Sequence, residues 1–443
     1  MTKAQHYKTT IKLALPVIIG QLGQIMVSVA DSIMVGQLGT IPLAAAAFAN
    51  SIFIVVLVFG MGLAHGLTPL VATASGMNRK HVQGVLLRQS FYLNILVSLG
   101  LTGIMLFSLP LFPFLGQEPE VLSQAKNYYL ILSATVLPIM LYLSFKQFAE
   151  GLADTKTAMV ISILCNLANV GLNYLLIYGH FGFPALGLEG AGIATLIARI
   201  LMLFLMAHYV MNSDKFSIYE LTLRFQKIRT KVLRKLLSVG IPTGLQYLFE
   251  ISAFSVAALL AGMISAEALA AHQIAINIAS VTYMAASGLG AAATVRVGNQ
   301  AGAGSHVDLK LATRSIFSLS IGWMAFAGLI IFLFKKDLAG LYSEDPFVLD
   351  LAVKMLIVTV LFQLSDGVQV VALGALRGFT DVKIPTLITF VSYWIIALPI
   401  AYLLSQELGF GALGIWYALA GGLTISAILL VIRFNGELKR FAT

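Results

Sequence analysis

The stretch that decides the fold is IPTGLQYLFEISAFSVAALLAG, at positions 241–262. Glu250 is its only charged residue, and its length matches the ~20 apolar residues that a helix needs to cross a bilayer. A similar stretch, LPVIIGQLGQIMVSVADSIMVG, occupies positions 15–36 and also has a single charge, Asp31. Because a helix that is apolar on all sides is typical of a membrane span, both stretches predict transmembrane helices.

The composition of the whole chain agrees with this interpretation. Of its 443 residues, 59% are hydrophobic and 11% are charged, whereas soluble domains have about 45–50% apolar and 25% charged residues. These values exclude an ordinary soluble enzyme, a disordered chain and a nucleic-acid-binding module. The single cysteine, Cys165, excludes a disulfide framework and a cysteine-based metal site. The chain is therefore predicted to be an all-α polytopic protein surrounded by membrane lipids.

Apolar runs along the chain predict twelve transmembrane helices. They lie at 11–36, 43–73, 84–115, 121–145, 157–179, 190–212, 236–262, 268–297, 310–334, 347–375, 382–404 and 411–433.

The basic residues fall mainly in alternate connections between these spans. The two termini and the even-numbered connections, counted with the span ends that adjoin them, hold 23 of the 28 lysines and arginines, while the opposite connections hold only Lys335 and Lys336. Because basic loops stay on the cytoplasmic side, both termini are predicted to face the cytoplasm from the inner (plasma) membrane. The net charge of +9 thus reflects topology and does not indicate a nucleic-acid partner.

The longest connection predicts a linker between two lobes. Residues 213–235 are polar and basic, and the spacing of Tyr219, Leu221, Leu223 and Phe225 indicates an amphipathic segment on the inner membrane surface. The chain is therefore divided into an amino-terminal six-helix lobe at 1–212, the linker at 213–235, and a carboxy-terminal six-helix lobe at 236–443.

The two predicted lobes repeat each other. A shift of 226 places Pro16 on Pro242 and Gly36 on Gly262. A shift of 227 places Gly151 on Gly378 and Lys156 on Lys383. Because six spans are an even number, the lobes enter the membrane in the same direction. They are predicted to be related by a pseudo-two-fold axis along the membrane normal. Two such lobes facing a central cleft are typical of secondary transporters that work by alternating access.

Three carboxylates lie inside predicted spans, where an ionisable side chain indicates a functional site. Asp31 lies on span 1, Glu250 on span 7 and Asp366 on span 10. A carboxylate at that depth can bind a proton, bind sodium or pair with a cationic substrate. Glu250 and Asp366 form a candidate Na⁺ site if spans 7 and 10 meet, which spacing alone does not decide.

Further polar residues within the spans are candidates for lining the substrate cleft. Asn169 and Asn173 share one face of span 5. A structural role, in which these amides form hydrogen bonds between helices, is an equally good interpretation. The cleft candidates are Gln21, Gln24, Tyr247, His272, Gln273, Asn277 and Phe362. His272 taken alone is more typical of packing, and Arg199 on span 6 is expected to face a carboxylate or the cleft.

No enzymatic motif is found. The sequence contains no phosphate-binding loop, no His-Glu-x-x-His and no Gly-x-Ser-x-Gly, so we predict a transporter without a cofactor and not an enzyme. A flippase for lipid-linked precursors is an alternative, but it would need several cationic residues in its cleft. A ligand-binding sensor is a further alternative, although no output domain is evident.

Several motifs together resemble the multidrug and toxic compound extrusion (MATE) transporters of the NorM-like branch. They are ADSIMVG at 30–36, LFE at 248–250, AAHQIAIN at 270–277, DGVQVVA at 366–372 and GALRGFTD at 374–381. The resemblance covers essentially the whole chain and implies export of cationic or amphipathic organic compounds in exchange for sodium or protons.

The resemblance also implies roles for particular residues. It places a cation site at Glu250 and Asp366, and an amino-lobe site at Asp31, Asn169, Asn173 and Thr195. Some members have aspartate where this chain has Asn173, and Phe362 provides a ring without a tyrosine hydroxyl. The expected protein is a monomeric antiporter of small organic cations, coupled to Na⁺ or H⁺. A proton-coupled exporter with Asp31 as its main site is the alternative.

Overall fold

The structure is a computed structural model that describes residues 2–219 and 227–442. Within these residues the regular structure is entirely helical. Twelve of the described helices are long and apolar enough to cross a membrane. The predicted all-α polytopic class is therefore confirmed.

These twelve helical spans, α1 to α12, follow one another along the chain. Their bounds are Lys3–Gly36, Thr40–Gly76, Lys80–Leu115, Pro119–Gly151, Lys156–Tyr178, Gly187–Asn212, Thr230–Ile264, Ala266–Gly302, His306–Gly340, Pro346–Gly378, Lys383–Glu407 and Gly411–Phe441. Each corresponds to one predicted span. Most of the helices extend several residues further, because helical hydrogen bonding continues into polar residues that a search for apolar runs leaves out.

Helix α7 begins inside the range predicted for the linker. It starts at Thr230, whereas the linker was predicted to extend to 235. A short helix, Asp214–Ser217, follows α6, and its Phe216 is buried against the ring of Phe148 at 6.1 Å. Three of the residues that carried the amphipathic pattern, Leu221, Leu223 and Phe225, lie outside the described residues.

By their packing, the residues of the chain form two compact units. The first unit is Ile19–Gly244, and the second unit is Met1–Ile18 with Leu245–Thr443. Both divisions fall two residues after a proline inside a helix, Pro16 in α1 and Pro242 in α7, where one backbone hydrogen bond of the helix is lost. The predicted lobes follow the sequence repeat, with limits at 212 and 236, and those limits stay a prediction.

The sequence repeat is also present in the backbone. Residues with a positive φ recur at equivalent places, with Ala153 at 63° and Thr380 at 61°, and with Gly182 at 87° and Gly409 at 73°. In the turn after α4 and in the turn after α10, the backbone N–H of an aspartate donates to the carbonyl oxygen five residues earlier. The distance is 2.8 Å for Asp154 and 3.0 Å for Asp381. The two halves of the sequence thus build the same local turns.

Within the second unit, an apolar core holds α7, α10, α11 and α12 together. It contains Ala253 of α7, Phe362 of α10, Tyr393 of α11 and Leu419 of α12, all of them buried. Ala253 lies three residues after Glu250. The core therefore fixes the part of α7 that carries this carboxylate next to α10.

Within the first unit, α2 lies very close to the beginning of α7. A Cβ atom on Gly66 would lie 2.8 Å from the Cα atom of Gly240, which is shorter than van der Waals contact between carbon atoms. Because the neighbouring atom belongs to the backbone, it cannot rotate away. Glycine at 66 thus permits backbone-to-backbone packing, as small residues do in membrane proteins.

Candidate functional site

In the second unit, Glu250 joins two helices. Gln246, one turn earlier on α7, donates from Nε2 to Glu250 Oε1 at 3.3 Å. Gln369 on α10 donates from Nε2 to the same oxygen at 3.4 Å. Spans 7 and 10 therefore meet at Glu250, which the sequence alone left open.

Asp366 lies on α10 three residues before Gln369, so the two side chains share a helix face. Its carboxylate is buried, with 7% of the residue exposed. It interacts electrostatically with Glu250. It forms no hydrogen bond or ion pair with any residue that the structure describes. A buried carboxylate without a protein partner is costly unless a proton or a cation neutralises it.

The Glu250 network continues in two directions. The Gln369 amide lies 3.1 Å from the hydroxyl of Tyr393, which sits on a π-helical turn of α11, Val391–Ala397. On the other side, Arg377 donates to the Gln246 side-chain oxygen at 3.4 Å and to the Tyr247 hydroxyl at 3.3 Å. π-helical turns occur frequently at functional sites.

The charges of this second-unit site do not balance. Glu250 and Asp366 contribute two negative charges when ionised, and Arg377 contributes one positive charge, which leaves a net charge of −1. Arg377 is itself held by neutral groups of α7 and not by a carboxylate within 4.0 Å among the described residues. The site is thus suited to bind one additional cation.

In the first unit, Asp31 is bound by amide groups. Asn173 donates from Nδ2 to Asp31 Oδ1 at 2.5 Å. The hydrogen-bonding surroundings assign the Asn169 amide the orientation in which its nitrogen faces the carboxylate. Asn169 then donates to the same oxygen at 3.2 Å, and its oxygen accepts from the Thr195 backbone N–H at 3.2 Å. The Thr195 hydroxyl donates to Ala191 O on its own helix, so Thr195 contributes through its backbone.

Arg199 also belongs to this first-unit site, through its charge. It interacts electrostatically with Asp31 and with Tyr128. Its hydrogen-bond acceptor is the hydroxyl of Thr135, and its guanidinium carbon lies 5.2 Å from the ring centroid of Phe53. Asp31 is thus the carboxylate that Arg199 was expected to face, although the two groups are further apart than in an ion pair.

The remaining cleft candidates are placed in two kinds of surroundings. His272 and Phe362 are buried, and both rings pack on Trp416 with centroids 5.7 and 5.8 Å away. Gln273 and Asn277, four residues apart on α8, are exposed. On α1, Gln21 is half-buried and Gln24 is exposed. The structure thus separates His272 from the exposed amides that neighbour it in sequence.

Sequence reasoning missed several members of the second-unit network. Gln246 and Gln369 lie four and three residues from a predicted carboxylate, so helical spacing could have identified them. No such spacing identifies Tyr393 or Arg377. Tyr393 on α11 reaches Gln369 on α10, and Arg377 on α10 reaches Gln246 on α7. Only the packing of α7, α10 and α11 brings these groups together.

Twelve apolar helices, three of which (α1, α7 and α10) carry a carboxylate within the predicted span, are typical of a polytopic membrane transporter. The sequence model of the MatE family matches residues 16–175 and again residues 242–403. The two matches begin 226 residues apart, which agrees with the internal repeat. The chain belongs to the MatE family, and as a member of a transporter family it is not an enzyme.

Curated relatives extend over nearly the whole chain. The probable multidrug resistance protein NorM of Rhizobium meliloti is 34% identical over 98% of this chain and 94% of the relative. The multidrug resistance protein NorM of Vibrio cholerae is 33% identical, over 95% and 93%. The multidrug resistance protein MdtK of Yersinia pseudotuberculosis is 34% identical, over 97% and 95%.

Solved structures share the fold. The eukaryotic MATE transporter AtDTX14 has a TM-score of 0.89 and is 21% identical, over 99% of this chain and 98% of that one. A MATE family transporter in an outward-facing conformation has a TM-score of 0.91 and is 20% identical, over 99% and 97%. The predicted resemblance to NorM-like MATE transporters is therefore confirmed.

Proposed function

We propose that the protein is a multidrug efflux antiporter that exports cationic or amphipathic organic compounds in exchange for Na⁺ or H⁺. It acts as a monomer in the inner membrane, with both termini in the cytoplasm. The names of the NorM and MdtK relatives, which describe multidrug resistance proteins, support the kind of substrate. Alternating access accounts for the exchange.

The observation that carries this proposal is the state of Asp366. It is a buried carboxylate on a transmembrane helix, close to Glu250, and it has no hydrogen bond within the described part of the chain. Neighbouring carboxylates repel each other, and a bound cation relieves that repulsion. Either the coupling ion or the cationic group of a substrate satisfies this requirement.

Competition between the two kinds of cation produces the exchange. A ligand shifts a conformational equilibrium only if it binds one state more tightly than the other. The coupling ion must therefore bind at Glu250 and Asp366 more tightly in one access state, and displace the organic cation there. At ~100 mV, each inward charge supplies about 2.3 kcal/mol to drive the cycle.

The test is efflux of a fluorescent organic cation from proteoliposomes, under either a sodium gradient at fixed pH or a pH gradient without sodium. We expect Glu250→Gln and Asp366→Asn to abolish ion-driven export. The matched control is Asp350→Asn, on the same helix α10, because Asp350 is exposed and paired with Lys354 at 2.6 Å. Unchanged export in both site variants would contradict the proposed coupling site.

A second candidate uses Asp31 as the main proton site. It is favoured because the amides of Asn169 and Asn173 that bind this carboxylate are neutral, and none of the described residues forms an ion pair with it, so a proton is left to neutralise its charge. In that case export follows the pH gradient alone, is lost in Asp31→Asn and survives in Glu250→Gln. The same proteoliposomes distinguish the two candidates.

A further inference from the structure

A dense group of basic residues lies at the beginning of α7, just before the helix and in its first turns. Five of the nine residues at 227–235 are lysine or arginine, and all five are exposed. This basic cluster consists of Lys227, Arg229, Lys231, Arg234 and Lys235. None of the five forms an ion pair with a carboxylate of the described residues, whereas Lys215 pairs with Asp154 at 2.8 Å. The cluster therefore presents five positive charges that no described carboxylate neutralises.

The basic cluster does not stabilise the helix in which it lies. Cations near the N-terminus of a helix oppose its dipole, and the first turn of α7 contains no acidic residue that would offset them. Lys231 and Lys235 are four residues apart, and like charges at this spacing repel each other on a helix. An anionic partner would remove both of these costs.

A buried amide fixes the backbone that carries the first two cations of the cluster. Gln89 on α3 is 1% exposed. Its Nε2 donates to Lys227 O at 3.3 Å, and its Oε1 accepts from the backbone N–H of Arg229 at 2.9 Å. One side chain thus holds both ends of the segment 227–229 within the first unit. These two cations belong to a surface that is formed before a partner binds, which lowers the entropy lost on binding.

Exposed apolar residues accompany the cations. Ile228, between Lys227 and Arg229, is 42% exposed, and Ile241 on α7 is 40% exposed. Arg234 and Ile241 are seven residues apart and therefore lie on one face of the helix. At about 1.5 Å per residue, Ile241 lies about 10 Å further along α7, and the polar layer of a bilayer is about 5–8 Å thick on each side. Arg234 thus lies at the depth of the lipid head groups when Ile241 contacts the acyl chains.

We infer that the basic cluster binds anionic phospholipid head groups of the cytoplasmic leaflet. Groups of about four to eight basic residues immediately beside the cytoplasmic end of a transmembrane helix are typical of such binding. The lysines and arginines contact the phosphates, and Ile228 and Ile241 contact the acyl chains. A lipid therefore satisfies the charged and the apolar parts of this surface together, whereas a soluble anion satisfies only the charges.

The topology of the chain accounts for only part of these observations. Positive charge in a connection also holds that connection in the cytoplasm. That role requires neither a backbone fixed by Gln89 nor an exposed isoleucine between two cations. Lipid binding at the cluster goes beyond the proposed export function and does not depend on it.

The experiment measures lipid binding to the purified protein in detergent by native mass spectrometry. The two probes are phosphatidylglycerol, which is anionic, and phosphatidylcholine with the same acyl chains, which is zwitterionic. The test variant combines Lys231→Gln with Lys235→Gln. We expect the wild type to bind phosphatidylglycerol more tightly than phosphatidylcholine. In the variant, the Kd for the first phosphatidylglycerol should rise about fivefold for each lysine removed and about 25-fold in total, which corresponds to about 1 kcal/mol per residue.

The matched control combines Lys335→Gln with Lys336→Gln, which also removes two lysines but from the last turns of α9. It should leave the Kd unchanged. An unchanged Kd in the Lys231 and Lys235 variant, or an equal rise in both double variants, would overturn the inference. So would displacement of the lipid by an equal concentration of inorganic phosphate, because a soluble anion would then be the ligand. Since no export is measured, a failure of the proposed export function would not produce any of these outcomes.

Discussion

Two glutamines on α10 illustrate how a single side chain acquires a role. Gln369 bonds to Glu250 and to Tyr393, and thereby connects three helices. Gln363, less than two turns earlier, is 1% exposed, and neither its side-chain oxygen nor its nitrogen has a partner in the described structure. The same residue type is thus a connecting group at one position and an unsatisfied polar group at the other.

The two positions should respond differently to the same substitution. Gln369→Leu removes the hydrogen bonds to Glu250 and Tyr393 and leaves Glu250 with one donor fewer, so we expect it to destabilise the protein by about 1–3 kcal/mol. Gln363→Leu removes a buried group that has no partner, so stability should stay unchanged or rise. Thermal unfolding of both purified variants in one detergent is the measurement. A larger loss for Gln363→Leu than for Gln369→Leu would show that the hydrogen bonds are assigned wrongly.

At the scale of the elements, hydropathy predicted all twelve spans because a long apolar run identifies a transmembrane helix without any knowledge of its neighbours. The same argument placed Glu250 and Asp366 in the membrane, since one charge in such a run is conspicuous. It did not reveal the π-helical turn that carries Tyr393, because hydropathy contains no information on helical winding. It also did not identify Thr135 as a partner of Arg199, because that contact depends on how α4 and α6 pack.

The turn between α4 and α5 gives a prediction about pH. Burial alone would raise the pKa of Asp154, but the hydrogen bonds from Lys215 and Tyr209, at 2.8 and 2.6 Å, outweigh burial and hold this pKa below its ordinary value. Because the folded pKa is lowered, the stabilisation is fully present above the unfolded pKa of about 3.9 and disappears as the pH falls through the folded value.

Asp154→Asn should therefore lower stability at neutral pH by about 1–2 kcal/mol, allowing for the exposed Lys215. The difference from the wild type should vanish in acid. Thermal unfolding between neutral pH and about pH 3 measures this effect, provided that both proteins still unfold cooperatively. Asp214→Asn is the control, because Asp214 is exposed and near Lys215 but its side chain has no hydrogen bond among the described residues. A difference that persists at the lowest pH would refute the electrostatic explanation.

At the scale of the whole molecule, the distribution of basic residues makes a testable statement about orientation. Because Arg79 lies in the connection between α2 and α3 and Lys80 begins α3, this connection should be cytoplasmic, and the next one, between α3 and α4, should be outside. Cys165 is the only cysteine and is buried, so an impermeant maleimide should not label the wild-type protein. Met77 and Glu118, which are both exposed, mark the two connections.

In intact cells, we expect the maleimide to label Glu118→Cys and to label Met77→Cys only after the membrane is opened. The reason is that positive charge resists translocation, so the helices on either side of Arg79 and Lys80 are held with that connection inside. Each variant serves as the control for the other, since both cysteines lie at exposed positions beside a helix end. Labelling of Met77→Cys but not of Glu118→Cys in intact cells would reverse the orientation. It would also reverse the direction in which the proposed exchange of ions for organic cations takes place.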